Sequence, residues 1–156
     1  MREKTTKDSY TEHVQILMPG MLNADNRLFG GQIMQWIDIV AGVVARRHSE
    51  CTVTTAVVDT LTFQAAAYLG DTVLLCGKIT YVGRTSMEVC VKSYAEHLDG
   101  GRVCINTAYV VLVALDDDEK PCEVPRLRLE TEEEKADWAA GEMRNKLRSL
   151  RRTEKY

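Results

Sequence analysis

The chain has no run approaching the roughly 18 apolar residues of a membrane span. Its first residues, Met1 to Asp8, are polar where a secretion signal would carry an apolar core. Both absences lead to the expectation of a cytoplasmic protein with no membrane span. There is no basic excess either: the net charge is -3, so a nucleic-acid partner is not expected. No two cysteines share a C-x-x-C spacing. Cys51, Cys76, Cys90, Cys104 and Cys122 are scattered and odd in number, which excludes the common zinc signatures and argues against a disulfide framework. They read as buried free thiols in a reducing compartment, and no metal is expected. Internal repeats and low-complexity tracts are absent. What remains is 156 residues, enough for one domain with a real core.

The chain is organised around Phe29 to His48, a long helical pattern opening on Gly30-Gly31 and closing on Arg46-Arg47-His48. Basic residues suit the negative end of a helix dipole. At 100° per residue, Ile33, Trp36, Ile37, Val40, Val43 and Val44 form an aliphatic stripe fit to lie against a sheet. The opposite face carries Gly31, Met34, Gln35, Asp38, Ala41, Gly42 and Ala45. That face is small and smooth, with one carboxylate, where an ordinary surface helix is charged. A helix of this kind is expected to be covered on both sides, leaving Asp38 partly buried.

Residues 1–10 read as a flexible arm. Thr11 to Met18 alternates weakly and reads as a strand. Pro19-Gly20 interrupts it, and a polar loop through Asn23 and Asn26 leads to the glycine pair. After the helix come four strand patterns: Thr52 to Phe63, Thr72 to Val82, Ser86 to Tyr94 and Arg102 to Leu115. Gly83-Arg84-Thr85 and Asp99-Gly100-Gly101 are turns between them. Tyr109 to Ala114 is apolar on both faces, so it is expected to be covered by a helix on one side and a partner subunit on the other. Residues 123–156 read as an irregular segment and a C-terminal helix. Thr131 and Glu134 form its capping box, and its few apolar positions mark it as peripheral. The result is an α+β hotdog fold over residues 11–122, a five-stranded, mainly antiparallel sheet wrapped around one long central helix.

The run Asn23-Ala24-Asp25-Asn26-Arg27-Leu28-Phe29-Gly30-Gly31, with Asp38 seven residues beyond, resembles the acyl-CoA thioesterases of the cytosolic acyl-CoA hydrolase type. The likeness continues through Val57-Val58-Asp59, Gly70-Asp71, Gly83 to Val89, Tyr109-Val110 and Val124-Pro125. It implies hydrolysis of fatty acyl-CoA to free fatty acid and coenzyme A by a homo-oligomer, a trimer of double-hotdog dimers (a homohexamer). It also implies an essential aspartate in the central helix, here Asp38, with an asparagine at Asn23 and a threonine at Thr55. Where some members carry Asn or Asp three residues before the first glycine, this chain has Arg27.

The residues suit that chemistry. The Gly31 N–H, at the positive end of the helix, is the expected oxyanion donor. Asp38 is the expected general base, or a nucleophile passing through an anhydride. Asn23 and Thr55 would orient water or carbonyl, although singly they are ordinary turn and strand residues. Arg84, with Thr85 and Ser86 in its turn, is expected to contact CoA, and Arg46 and Arg47 stand behind it. No cofactor is expected, since CoA is part of the substrate. Base and oxyanion donor lie two turns apart on one helix, so the site is expected to be completed across a dimer interface. A hotdog hydratase or dehydratase would pair a histidine with an acid, and His13, His48 and His97 are not on the Asp38 face. An acyl-CoA-binding regulatory hotdog without turnover is the remaining rival, and the retained Asp38 speaks against it.

Overall fold

The computed structural model describes residues 2–155. In chain order it has β1 (Glu3–Thr5), a helical turn α1 (Thr6–Ser9), β2 (Thr11–Ile16), α2 (Gly30–Ser49) and β3 (Thr52–Phe63). Then follow β4 (Thr72–Val82), β5 (Ser86–Glu96), β6 (Arg102–Leu115), β7 (Arg126–Arg128) and α3 (Glu132–Glu154). The main sheet has the order β2-β4-β5-β6-β3 and every pairing in it is antiparallel. This is the hotdog arrangement, with α2 against one face of the sheet.

The core lies between α2 and the inner face of the sheet. Ile33, Trp36, Ile37, Val40 and Val44 meet Val73, Leu75, Val89, Val91, Val110 and Leu112 there, all buried. Two residues assigned to the open side of the helix, Ala41 and Ala45, are also fully buried. The sheet curls around α2, so it covers a wider arc than a flat sheet would. Asp38, Gly31, Met34 and Gln35 are exposed in the single chain, so the cover expected over this face is not supplied by the described residues of the chain itself.

The first ten residues are not a loose arm. β1 pairs parallel with β7, Lys4 opposite Leu127, and Thr5, Thr6 and Ser9 are buried. Arg47 donates to the Tyr10 carbonyl and the Thr11 hydroxyl, fixing this segment to the end of α2. His48 is fully buried beside the same segment, its Nε2 2.8 Å from the Pro125 carbonyl. Burial lowers its pKa, so the neutral ring donates that bond and ties the helix end to the β7 segment.

α3 crosses the outer face of the sheet, where Arg144 lies over the Tyr109 ring of β6, 3.8 Å from its centroid. Gly141 makes the crossing close: a Cβ on it would lie 2.7 Å from the Tyr81 Cβ and 3.0 Å from the Glu88 carboxylate. Beneath the helix, Glu88 is buried and fully ligated. Arg144 donates from Nε at 3.0 Å and from a second nitrogen at 2.8 Å, Arg148 donates at 3.0 Å, and the Thr80 hydroxyl at 2.6 Å. Arg148 also donates to Asp59 at 2.9 Å. Burial pushes the Glu88 carboxyl up, but Arg144, Thr80 and Arg148 outweigh it and hold its pKa below the ordinary value. The C-terminal helix is therefore docked through buried ion pairs, not merely peripheral. Of the cysteines only Cys90 is fully buried. Cys51 and Cys122 are half-buried neighbours with sulfurs 3.6 Å apart.

Candidate functional site

α2 begins at Gly30 after an extended Phe29, with no side-chain cap. Gln32 and Ile33 donate to the Phe29 carbonyl, so the N–H groups of Gly30 and Gly31 are the helix's unsatisfied donors. Among the described residues neither has an acceptor. Gly31 lets the Phe29 ring lie close: a Cβ there would sit 2.6 Å from the ring as placed and would push this exposed side chain aside. The ring thus lies beside a bare backbone N–H at the positive end of a 20-residue helix, about 30 Å long.

Two turns along, Asp38 accepts a 2.7 Å hydrogen bond from the Thr55 hydroxyl. β3 delivers that hydroxyl. Thr55 pairs with Leu112, whose side chain is in the core, so both project toward α2. The register shifts immediately after Thr55 and again between Val58 and Thr60. Such bulges re-aim side chains. Here they leave Thr55 facing the helix while Asp59 reaches Arg148 and Arg151 on the other face. Beside Asp38 lies a small slot of about 110 Å³ lined by Met34, Ile37, Val58, Leu61 and Val110. Its walls are otherwise apolar.

Asn23 is elsewhere. Its Oδ1 accepts from Asp25 N at 2.9 Å and Arg27 N at 3.2 Å, which shapes the loop as an ordinary turn residue would. Its Nδ2 has no acceptor among the described residues and remains available as a donor. It lines a separate cavity of about 360 Å³ with Arg27, Leu28, Ile33, Phe63 and Gln64. A single chain therefore joins Asp38 to Thr55 but leaves Asn23 in a different cavity.

Arg84, Thr85 and Ser86 form one turn, in which Gly83 N donates to the Ser86 carbonyl at 2.9 Å. Arg84 is exposed, with only a 3.7 Å approach to Glu123, so its guanidinium is available to an anion. Arg46 is exposed at the end of α2. Arg47 is not equivalent to it, because its guanidinium is occupied by Tyr10 and Thr11. Val124 N donates to the Arg84 carbonyl and His48 holds Pro125, so this turn and the C-terminal end of α2 share one end of the molecule. Sequence reasoning assigned no role to Glu88, Arg144 and Arg148; the signal available was an acidic residue between Met87 and Val89 in the first half of β5.

Residues 25–101 match the model of the thioesterase superfamily. An uncharacterized acyl-CoA thioester hydrolase of Bacillus subtilis is 40% identical over 129 residues, covering 82% of this chain and 75% of that protein. The solved structure of a hexameric acyl-CoA thioesterase has a TM-score of 0.93 at 32% identity, covering 97% of both chains. The acyl-CoA hydrolase of Staphylococcus aureus, solved with butyryl coenzyme A, coenzyme A and coenzyme A disulfide, has a TM-score of 0.93 at 29% identity. There 98% of this chain and 94% of that one are covered. Alanine variants of that hydrolase at an asparagine, an aspartate and a threonine have also been solved. Those positions are separated by 15 and 17 residues, as Asn23, Asp38 and Thr55 are. The chain belongs to the thioesterase superfamily.

Proposed function

We propose that this thioester hydrolase cleaves fatty acyl-CoA to the free fatty acid and coenzyme A, in a site shared between two copies of the chain. The observation that carries the reading is the Thr55–Asp38 hydrogen bond on the exposed face of α2, on the same helix as the open Gly31 N–H. Thr55 holds one Asp38 oxygen and leaves the other free to take a proton from water. The hydroxide formed adds to the thioester carbonyl carbon. The resulting oxyanion accepts from Gly31 N–H and from Asn23 Nδ2 of the second copy. Collapse expels the CoA thiolate, which takes back the proton from Asp38. Water, a carboxylate and N–H donors suffice for this sequence, so no cofactor is invoked.

The acyl chain suits the apolar slot beside Asp38, and the phosphates suit Arg84 with Arg46. Two unpartnered features support the dimer. β3 is an edge strand of 12 residues, with Val57 and Val58 exposed, and such an edge is a template for pairing. Next to it lies the exposed Gly31, Met34, Asp38 face of α2. Three such dimers make the hexamer we assign, as in the hexameric relative. The five free thiols fit a cytoplasmic location. Release of CoA thiol, measured across acyl chain lengths, tests the activity. Absence of release from every acyl-CoA would overturn it.

A further inference from the structure

α3 is amphipathic in an unusual sense. The face that meets the sheet is the polar one, carrying Asp137, Arg144 and Arg148. Apart from Trp138, which packs on Tyr81, the larger apolar residues are on the outside. Met143 is 57% exposed, Leu147 49% and Leu150 56%, and Ala136 and Ala140 are exposed with them. These five alternate at spacings of four and three, the seam of a coiled coil. Leu147 and Leu150 border a groove with Asp59 and Thr60 of β3, and nothing among the described residues covers the five.

We propose that this seam pairs antiparallel with α3 of a second copy, about a two-fold axis at Met143, forming an interface separate from the α2 and β3 contact. Side-chain size selects that axis. It sets Ala136 against Leu150 of the second copy, Ala140 against Leu147, and Met143 against Met143, so that small faces large at every level but the centre. Charge selects the same arrangement. The first half of the helix exposes Glu132, Glu133 and Glu142 with one lysine, Lys135, and the second half Lys146, Arg151 and Arg152 with one glutamate, Glu154. Antiparallel pairing brings Glu142 beside the second copy's Lys146, while Glu133 and Arg151 are already held within each chain by Lys78 and Asp59. Parallel pairing would instead place Lys146 against Arg151 and acidic half against acidic half. The contact is isologous, and two different isologous contacts on one chain link dimers into a larger closed assembly. The inference stands independently of the catalytic reading, because α3 contributes no residue to the proposed site.

Cysteine cross-linking of the full chain tests it, with the native protein oxidised in parallel to set the background of its own thiols. Met143→Cys forms a chain-to-chain disulfide on mild oxidation, and Leu150→Cys alone does not. The double variant Ala136→Cys with Leu150→Cys links again. Cross-linking of Leu150→Cys alone to the level of Met143→Cys would mean a parallel pair, and no cross-link at Met143→Cys would mean no α3 contact; either overturns the proposal. Leu147→Glu is the second measurement. It lowers the mass found by light scattering to that of a dimer, while helix content and CoA release per chain stay within about twofold of native. An unchanged mass overturns the proposal, whatever the activity.

Discussion

The Thr55 hydroxyl donates to Asp38 Oδ1 at 2.7 Å, joining the middle of the central helix to the edge strand across 17 residues of sequence. The bond fixes the orientation of the carboxylate and leaves its second oxygen free. Asp38→Asn keeps the shape and removes the base. Hydrolysis then falls about 100- to 10,000-fold, with circular dichroism and assembly mass unchanged. Near-native turnover at saturating substrate would remove Asp38 from the mechanism.

Thr55→Ala leaves the carboxylate in place but unoriented. Loss of one hydrogen bond to a charged group corresponds to about a 10- to 100-fold loss, expressed in kcat more than KM. Thr55→Ser, which keeps the hydroxyl, restores most of it. Failure of serine to rescue would mean that the methyl group, not the hydrogen bond, matters.

Much of this was legible from residues alone. Alternation of valine and threonine marked the strands, and the glycine pair with a lone carboxylate marked the site helix. Less legible were features made by distant partners. Lys4 opposite Leu127 is a parallel pairing that no local pattern announces, so the first ten residues read as an arm. Ala41 and Ala45 were placed on the open side because a helical wheel assumes a flat sheet. α3 departed from the usual rule: Arg144 and Arg148 face the protein because Glu88 and Asp59 lie beneath them, while Met143, Leu147 and Leu150 face out.

Two of the three arginines expected to meet CoA, Arg84 and Arg47, should separate in experiment. Arg84→Ala raises KM with little change in kcat, because a phosphate contact is made equally in ground and transition states. Arg47→Ala leaves KM unchanged and lowers Tm, because Arg47 holds Tyr10 and Thr11. A lowered kcat at unchanged KM for Arg84→Ala would contradict its assignment.

The Glu88 carboxyl is held below the ordinary glutamate range, which gives the docking of α3 a defined pH dependence. The unfolded chain takes up the proton at the higher, ordinary value, and the native chain resists. The stabilisation is therefore full above that range and is lost as pH falls through it toward the lowered native value. Trp138, whose ring lies 4.5 Å from Tyr81, reports the release of α3 in a Trp36→Phe background. Glu88→Gln breaks a buried ionic cluster at a cost of about 3 kcal/mol and flattens the acid transition. An acid limb unchanged in that variant would assign it to other carboxylates.

The central claim is that Asp38 and Thr55 of one chain act with Asn23 of another. Complementation measures this directly. Asn23→Ala and Asp38→Asn chains, each nearly inactive alone, are unfolded together and refolded as a mixture. In a mixed dimer one site has lost both groups and the other has retained both. Random pairing then restores about one quarter of native CoA release. If the mixture is no more active than the two variants measured separately, each site lies within one chain, and the shared-site account is wrong.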